Sequence, residues 1–186
     1  MNVPHRSPSG RPDENEYPEY ARIYVDRVRG DDAVEALSES ESETVALLGP
    51  LEEDKVSGLT YAPGKWTLKQ VLGHVIDCER VFAYRALCIA RGETASLPGF
   101  DQEAYADVAD AESRSLASLL VEYHAVREAS MALFKTLSPE AWTRRGEANE
   151  LSVTVRGLAF QIPGHELHHL AILRERYLSQ LDKPPD

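Results

Sequence analysis

The sequence is poor in cysteine, and its two cysteines are placed where they cannot pair. Cys78 and Cys88 lie ten residues apart on one predicted helix, which separates them by about 15 Å. A disulfide requires Cα atoms within about 7 Å of each other. We therefore expect two free thiols, which fits a reducing, cytoplasmic environment.

Long apolar segments and basic stripes are missing as well. No stretch resembles a signal peptide or a membrane span, so we expect no membrane partner. There are 20 Lys and Arg residues against 31 Asp and Glu residues, and the net charge is −11. Because nucleic-acid binding requires clustered positive charge to displace counterions from the phosphates, this balance argues against a nucleic-acid partner.

The remaining composition is that of one globular domain. The chain has 186 residues, of which 42% are hydrophobic and 27% are charged, enough to bury a core. Residues 1–16 are mainly proline, serine and charged side chains, which predicts a disordered N-terminal arm. Residues 17–182 are predicted to form a single domain.

Hydrophobic periodicity predicts four long helices. Apolar residues recur at helical spacing over residues 34–51, 68–91, 113–137 and from 152 or 154 to 181. Thr67 and Gln70 match a capping box before the second helix, and Gly92 marks its end. Residues 93–112 are numerous enough to travel the length of a helix, so the second and third helices can run parallel. Since no strand pattern is visible, we predict an all-α four-helix bundle with a long crossover between helices 2 and 3.

Three of the six histidines lie within five residues of one another. In a helix, His165 and His169 stand at positions i and i+4, so their imidazoles leave the same face and can close on one metal ion. The second predicted helix carries His74 within its apolar stripe. Bundles form metal sites between side chains of facing helices, and three neutral imidazoles suit one divalent transition metal such as zinc or nickel, with a coordination position left open. We assign no role to His168 or His124.

The same stretch also fits the metalloprotease signature His-Glu-x-x-His, over residues 165–169. The extended form of that signature requires glycine at 172 and histidine at 175, where this chain has Ile172 and Glu175. No histidine or glutamate follows Glu175 as a third ligand, and no predicted sheet edge could hold a peptide. A protease is therefore disfavoured.

Several motifs together resemble those of the DinB-like superfamily, most closely its YfiT and bacillithiol-transferase branch. These motifs are Trp66–His74, Arg85 within Ala-Tyr-Arg-Ala-Leu, Leu97–Asp101 and Gly164–His169. The resemblance extends over residues 35 to 180. It implies a four-helix bundle with a long crossover, often a homodimer, and a metal held by three histidines that correspond here to His74, His165 and His169.

The resemblance also implies an enzyme with a small-molecule substrate. Relatives use low-molecular-weight thiols, so the first expectation is a metal-dependent thiol S-transferase resembling the bacillithiol transferases. Such a metal can lower the pKa of a bound water or thiol. The alternatives are a metal-dependent hydrolase and a non-catalytic metal-binding or stress-response bundle.

Two carboxylates are candidates for catalytic roles beside the metal. Asp77 stands at i+3 from His74 and could accept the outer N–H of a ligand histidine, and Glu166 lies within the histidine-rich stretch. Both have a solvent-facing alternative. Arg85, about 16 Å beyond His74 along the helix, could bind an anionic substrate or pair with a carboxylate of the third helix. We expect Cys78 to be a buried small hydrophobe and not a ligand.

Overall fold

A computed structural model of the protein describes residues 9–181. Its four long helices are α1 Ala33–Leu48, α2 Leu68–Ala90, α3 Leu116–Lys135 and α4 Val155–Ile172. They confirm the four helices predicted from the periodicity. A π-helical turn, Leu173–Tyr177, and a 3-10 turn, Leu178–Gln180, continue α4 to the end of its predicted range. None of the helices within residues 9–181 is both long enough and apolar enough to span a membrane.

Short helical turns occupy the connections between these helices. They are Glu14–Glu16, Glu19–Ala21 and Arg22–Val25 before α1, Glu53–Val56 before α2, Gln102–Val108 and Ala111–Ser113 in the crossover, and Pro139–Trp142 after α3. The crossover therefore contains a helix of its own, Gln102–Val108, which we call the crossover helix. It begins at an N-cap, Asp101, whose carboxylate accepts hydrogen bonds from two backbone N–H groups.

Both ends of α2 are fixed by local hydrogen bonds. The Thr67 hydroxyl accepts from the Gln70 backbone N–H at 3.2 Å, and the Gln70 side chain accepts from the Thr67 N–H at 2.9 Å, which confirms the capping box. At the other end Gly92 has φ of 89°, a left-handed conformation that suits glycine. The Glu93 N–H then donates to the Cys88 carbonyl at 3.0 Å, which closes the helix as a Schellman motif.

Two apolar clusters show the direction in which the helices run. One joins the starts of α2 and α3 to the ends of α1 and α4, and it contains Leu48, Leu68, Leu72, Leu116, Leu119 and Leu170. The other joins the opposite ends of the same helices, and it contains Leu37, Ile89, Phe134, Val155 and Leu158. The helices α2 and α3 are therefore parallel, and α1 and α4 run against them, which explains the long connection over residues 93–112.

The prediction that no strand is present is wrong. Strands β1 Arg145–Ala148 and β2 Leu151–Thr154 form an antiparallel hairpin before α4. Asn149 and Glu150 form its turn with φ of 53° and 63°, the two positive values that a two-residue hairpin turn requires. Strands of four residues are too short to show alternation, and a glutamate in the second turn position is not the glycine that usually signals such a turn.

Residues 9–16 differ from the disordered arm that composition predicts. Arg11 donates hydrogen bonds of 2.8 and 2.9 Å to two backbone carbonyls in the segment before α1, and Glu16 accepts one of 2.6 Å from Arg156 in α4. The charged side chains that suggested a solvated segment thus have partners on the bundle. The remainder of the predicted arm, residues 1–8, lies outside the described residues.

A buried polar layer separates the two apolar clusters, and Arg127 of α3 is its centre. The Arg127 side chain is fully buried. It donates to Glu79 of α2 at 2.8 Å, to Glu166 of α4 at 2.6 Å, and to the Leu37 carbonyl and Ser40 hydroxyl of α1 at 2.5 and 2.9 Å. One guanidinium therefore binds all the other three long helices. A buried charge with so many partners is far more costly to break than an exposed pair.

We expect Arg127→Met to lower the free energy of unfolding by about 3–5 kcal/mol, because two buried carboxylates would lose their counter-ion. The matched control is Arg174→Met, since Arg174 is exposed and pairs with an exposed Glu43 at 3.1 Å. Exposed pairs contribute about 0–1 kcal/mol. Urea unfolding followed by circular dichroism measures both losses. Equal small losses in the two variants would contradict the central role of Arg127.

Candidate metal centre

The structure brings together the three histidines that the sequence selects. His165 Nε2 lies 3.1 Å from His74 Nε2 and 3.1 Å from His169 Nε2. The candidate ligand atoms of the three residues all lie within 4.8 Å of one another. His74 enters from α2 and the other two from α4, with His74 and His165 buried and His169 half-buried. The helical i, i+4 spacing and the facing α2 together create this cluster.

The spacing of the nitrogen atoms fits one metal ion. Zinc binds imidazole nitrogen at about 2.0–2.1 Å, so two nitrogen ligands 90–109° apart would be separated by about 2.9–3.4 Å. The two 3.1 Å separations around His165 fall within that range. Three imidazoles are also the protein ligand set of catalytic zinc sites, which keep one position open.

The environment keeps the three imidazoles neutral, the form that binds metal. Burial lowers the pKa of His74 to about 4. Burial, reinforced by His74 and His168, lowers the pKa of His169 to about 3. Burial and the adjacent imidazoles of His169 and His74 hold the pKa of His165 well below its ordinary value. At neutral pH the cluster therefore presents lone pairs and no positive charge.

Close packing against the segment before α1 positions His165. A Cβ atom on Gly164 would lie 2.2 Å from the backbone oxygen of Tyr24, so only glycine allows this approach. The Tyr24 ring then meets the His165 ring edge-on at a centroid distance of 5.2 Å, and the Trp66 ring lies 4.8 Å from that of His74. The sequence analysis did not predict the contact between Tyr24 and His165. The available signal was the glycine before His165, which indicates a close approach of another segment.

A cavity opens beside the exposed edge of His169. It has a volume of about 220 Å³, and its lining includes Tyr61, Trp66, Val71, Glu103, His169 and Tyr177. The Tyr177 hydroxyl donates to the Trp66 backbone oxygen at 2.7 Å and thereby joins the end of α4 to the segment before α2. We call this space the histidine-side cavity. It is large enough to admit a small molecule to the edge of the cluster.

Glu166, a candidate catalytic carboxylate, is not turned toward the histidines. It is buried and accepts hydrogen bonds from Arg127, Thr44 and Tyr123 on α1 and α3. Successive residues of a helix differ by 100° in direction, so Glu166 faces these helices while His165 faces α2. Its oxygens already have partners, which argues for a structural role.

Asp77, the second candidate, also lies apart from the cluster. It is half-buried and, among the described residues, accepts its side-chain hydrogen bond from Arg80 at 3.4 Å. Burial raises the pKa of Asp77, and Arg80 opposes that rise. The expected hydrogen bond from the outer N–H of a ligand histidine is thus replaced by an ion pair on the outer side of α2.

Cys78 lies beside His74 but outside the group of three histidines. Its Sγ is 3.6 Å from both Nδ1 and Nε2 of His74. Among the described residues, the group of candidate ligand atoms that all lie within 4.8 Å of one another holds the three histidines and does not include this sulfur. Burial raises the pKa of Cys78 to about 12, so the side chain is a neutral thiol. This agrees with the expected small buried hydrophobe.

His168 and His124, to which the sequence assigns no role, lie outside the cluster of three histidines. His168 Nδ1 is buried without a hydrogen-bond partner among residues 9–181, and its ring lies 5.3 Å from that of Tyr24. His124 is exposed, and its Nδ1 lies 2.6 Å from a carboxylate oxygen of Glu41. That hydrogen bond raises the pKa of His124.

Comparison with known proteins agrees with the fold. A sequence model of the DinB superfamily matches residues 36–173. Comparison with curated proteins gives no match. Among solved structures, YfiT from Bacillus subtilis superposes with a TM-score of 0.71 over 96% of this chain and 98% of its own, at 20% sequence identity. That protein is described as a probable metal-dependent hydrolase with an unusual four-helix bundle topology. The likeness confirms the four-helix bundle.

We expect iodoacetamide to label Cys88 and to spare Cys78 in the folded protein at pH 8. Cys78 is buried and its pKa is raised to about 12, so almost none of it is the reactive thiolate. Cys88 is half-buried. Peptide mass spectrometry after a timed reaction identifies the labelled site, and the same reaction in urea should label both. Rapid labelling of folded Cys88→Ser protein would contradict this description of Cys78.

Proposed function

The chain belongs to the DinB superfamily, and from that premise we propose that it is a metal-dependent thiol S-transferase. In this proposal His74, His165 and His169 hold one divalent transition metal. The observation that supports it best is the convergence of three neutral imidazoles beside a cavity, with the Nε2 atoms of His74 and His169 each 3.1 Å from that of His165. When bound, such a metal deprotonates a coordinating thiol outright, which is the chemistry that S-transfer requires.

The lining of the histidine-side cavity supports the proposal, because it could hold a small substrate beside the histidines. Its aromatic walls, Tyr61, Trp66 and Tyr177, suit the apolar part of a small thiol or of its electrophile and reduce access of water. His169 is the half-buried member of the cluster. A substrate in this cavity would therefore meet the cluster on its accessible side.

Neither candidate carboxylate acts as a general base in this reaction. The Glu166 oxygens are engaged by Arg127, Thr44 and Tyr123, and the Asp77 carboxylate is paired with Arg80. A thiol whose proton is released on coordination does not need either carboxylate. The two candidates from the sequence are therefore given structural roles.

A metal-dependent hydrolase is the second candidate. The observation that favours it is the fold shared with YfiT, which is described as a probable metal-dependent hydrolase. A metal-bound water with a lowered pKa would be the nucleophile in that case. The same three histidines would serve, so the two functions differ in which small molecule occupies the cavity.

The metal site is tested by elemental analysis of protein purified without a nickel column. We expect about one divalent metal per chain, as for a three-histidine site. His74→Ala and His169→Ala should lose it, because two imidazoles bind far less tightly than three. His124→Ala is the control, since His124 lies on the surface with Glu41 and Glu128. Absence of metal from wild-type protein, or its retention in His74→Ala, would overturn the proposed site.

The reaction is tested with a small thiol and 1-chloro-2,4-dinitrobenzene. Transfer forms a sulfur–carbon bond and releases chloride together with the thiol proton, so the coloured thioether and the chloride can both be measured. We expect turnover with cysteine or bacillithiol that falls to the protein-free rate in His74→Ala and persists in His124→Ala. Hydrolysis of p-nitrophenyl acetate without thiol transfer would favour the hydrolase. Bound metal without either activity would favour a non-catalytic bundle.

A further inference from the structure

A second cavity lies on the other side of the crossover helix from the histidine-side cavity. It has a volume of about 250 Å³ and is lined by Arg80, Val81, Tyr84, Arg85, Leu97–Phe100 and Tyr105. We call it the arginine-side cavity. The crossover helix borders both spaces, because its Glu103 lines the first and its Tyr105 lines the second. Aromatic and apolar side chains form most of the lining.

Arg85 is a buried cation without an anionic partner in this cavity. Its side chain donates to the Pro98 carbonyl at 2.7 Å, and the residue is only 5% exposed. Within residues 9–181 no carboxylate oxygen lies within 4.0 Å of its nitrogen atoms. The pairing with a carboxylate of α3 that the sequence left open is therefore not formed. Burying a charge without a counter-ion is costly unless something else compensates it.

Arg127 and Arg85 are both buried arginines, but within the described part of the chain only Arg127 is paired with carboxylates. In Arg127, the carboxylates of Glu166 and Glu79 outweigh the effect of burial and raise the pKa. In Arg85, burial lowers the pKa. Both guanidinium groups belong to the interior of the same domain, but only one has its charge balanced by the protein.

The neighbouring Arg80 also lines the cavity, but its positive charge is already paired with carboxylates. It lines the cavity, but its guanidinium lies 2.6 Å from Glu122 and 3.4 Å from Asp77. Arg80 is therefore neutralised by two carboxylates, whereas Arg85 leaves one positive charge for an occupant of the cavity. One unbalanced charge suits a singly charged anion.

The wall that holds Arg85 is itself fixed by the hairpin. The Leu97 N–H donates to the Glu147 carbonyl at 2.9 Å, and the Asn149 N–H donates to the Leu97 carbonyl at 2.8 Å. These bonds attach the residue before Pro98 to the edge of β1. The Pro98 carbonyl is thus held in place to orient the guanidinium, and a preorganised guanidinium loses little entropy when it binds a ligand.

We propose that the arginine-side cavity binds the carboxylate of a small organic monoanion with an aromatic or apolar body, and that Arg85 recognises the carboxylate. A guanidinium can bind a carboxylate through two parallel hydrogen bonds, and Tyr84, Phe100 and Tyr105 would contact the body of the molecule. Nothing else among the described residues gives Arg85 a counter-ion. The site would define one substrate of the enzyme as a carboxylate.

The assignment of this ligand as a substrate rests on the proposed function. Arg85 is eleven residues beyond His74 on α2, which places it about 20° around the helix and about 16 Å along it. Helical Cα–Cβ bonds tilt toward the N-terminus of their helix, so the side chain of Arg85 leaves α2 on the side of its axis that leads back to His74. Arg85 and His74 therefore lie along one side of α2, which places the carboxylate site on the same side of this helix as the metal centre.

The test uses the full-length protein as purified, with benzoate and its neutral analogue benzamide as probes in a titration followed by NMR. We expect benzoate to bind more tightly than benzamide. Arg85→Gln should weaken benzoate by about tenfold or more, the loss expected for a hydrogen bond to a charged group. Arg80→Gln, the matched control in the same cavity, should leave benzoate binding nearly unchanged. Equal benzoate binding by wild-type and Arg85→Gln protein, or equal binding of the two probes, would overturn the proposal.

Two further measurements keep the test decisive. If Arg85→Gln fails to fold, Arg85→Lys takes its place, because lysine retains the charge without the planar fork. In wild-type protein the Arg85 Nε resonance should shift with benzoate and not with benzamide. An unmoved resonance would overturn the site. The titration is also repeated on His74→Ala, which should bind benzoate as wild type does. Failure of the metal site and failure of the carboxylate site are therefore separate results.

Discussion

The buried contacts of Arg127 are the constraint on which the rest of the structure depends. This one guanidinium forms hydrogen bonds with the other three long helices. It lies in the polar layer between the two apolar clusters. Its bond to Glu166 fixes the rotation of α4 about its own axis. Once Glu166 faces α1 and α3, the preceding residue, His165, must face α2. The ion network thus places the imidazoles without contacting them.

The polar layer therefore serves two purposes on two sides of α4. On one side the buried guanidinium of Arg127 is paired with the carboxylate of Glu166 through a hydrogen bond. On the other side the three imidazoles carry no charge, because burial lowers their pKa values. A protein that buries so many polar groups without such pairing would lose several kcal/mol for each one. The pairing engages the carboxylates of Glu79 and Glu166 and leaves the three imidazoles available to bind a metal.

The crossover connects the fold to the two cavities. It is long because α2 and α3 are parallel, and its own helix borders both the histidine-side and the arginine-side cavity. The hairpin fixes the start of this connection through Leu97. The long connection that the bundle requires therefore also supplies a wall for each cavity. The proposed ligand of the second cavity is set by the unbalanced charge of Arg85, whereas that of the first is set by the three histidines.

The sequence by itself determined the features that depend on local order. Helical periodicity, the capping box at Thr67, the Gly92 terminus and the His165–His169 pair all arise within a few residues, and the length of the crossover allowed a parallel arrangement of α2 and α3. Adding His74 to the pair required the bundle and the family resemblance. Only the tertiary structure decided that Glu166 belongs to Arg127, that Arg85 has no carboxylate partner, and that residues 9–16 lie on the bundle. Those outcomes depend on how far each helix is rotated about its axis, which is set by contacts between residues distant in the chain.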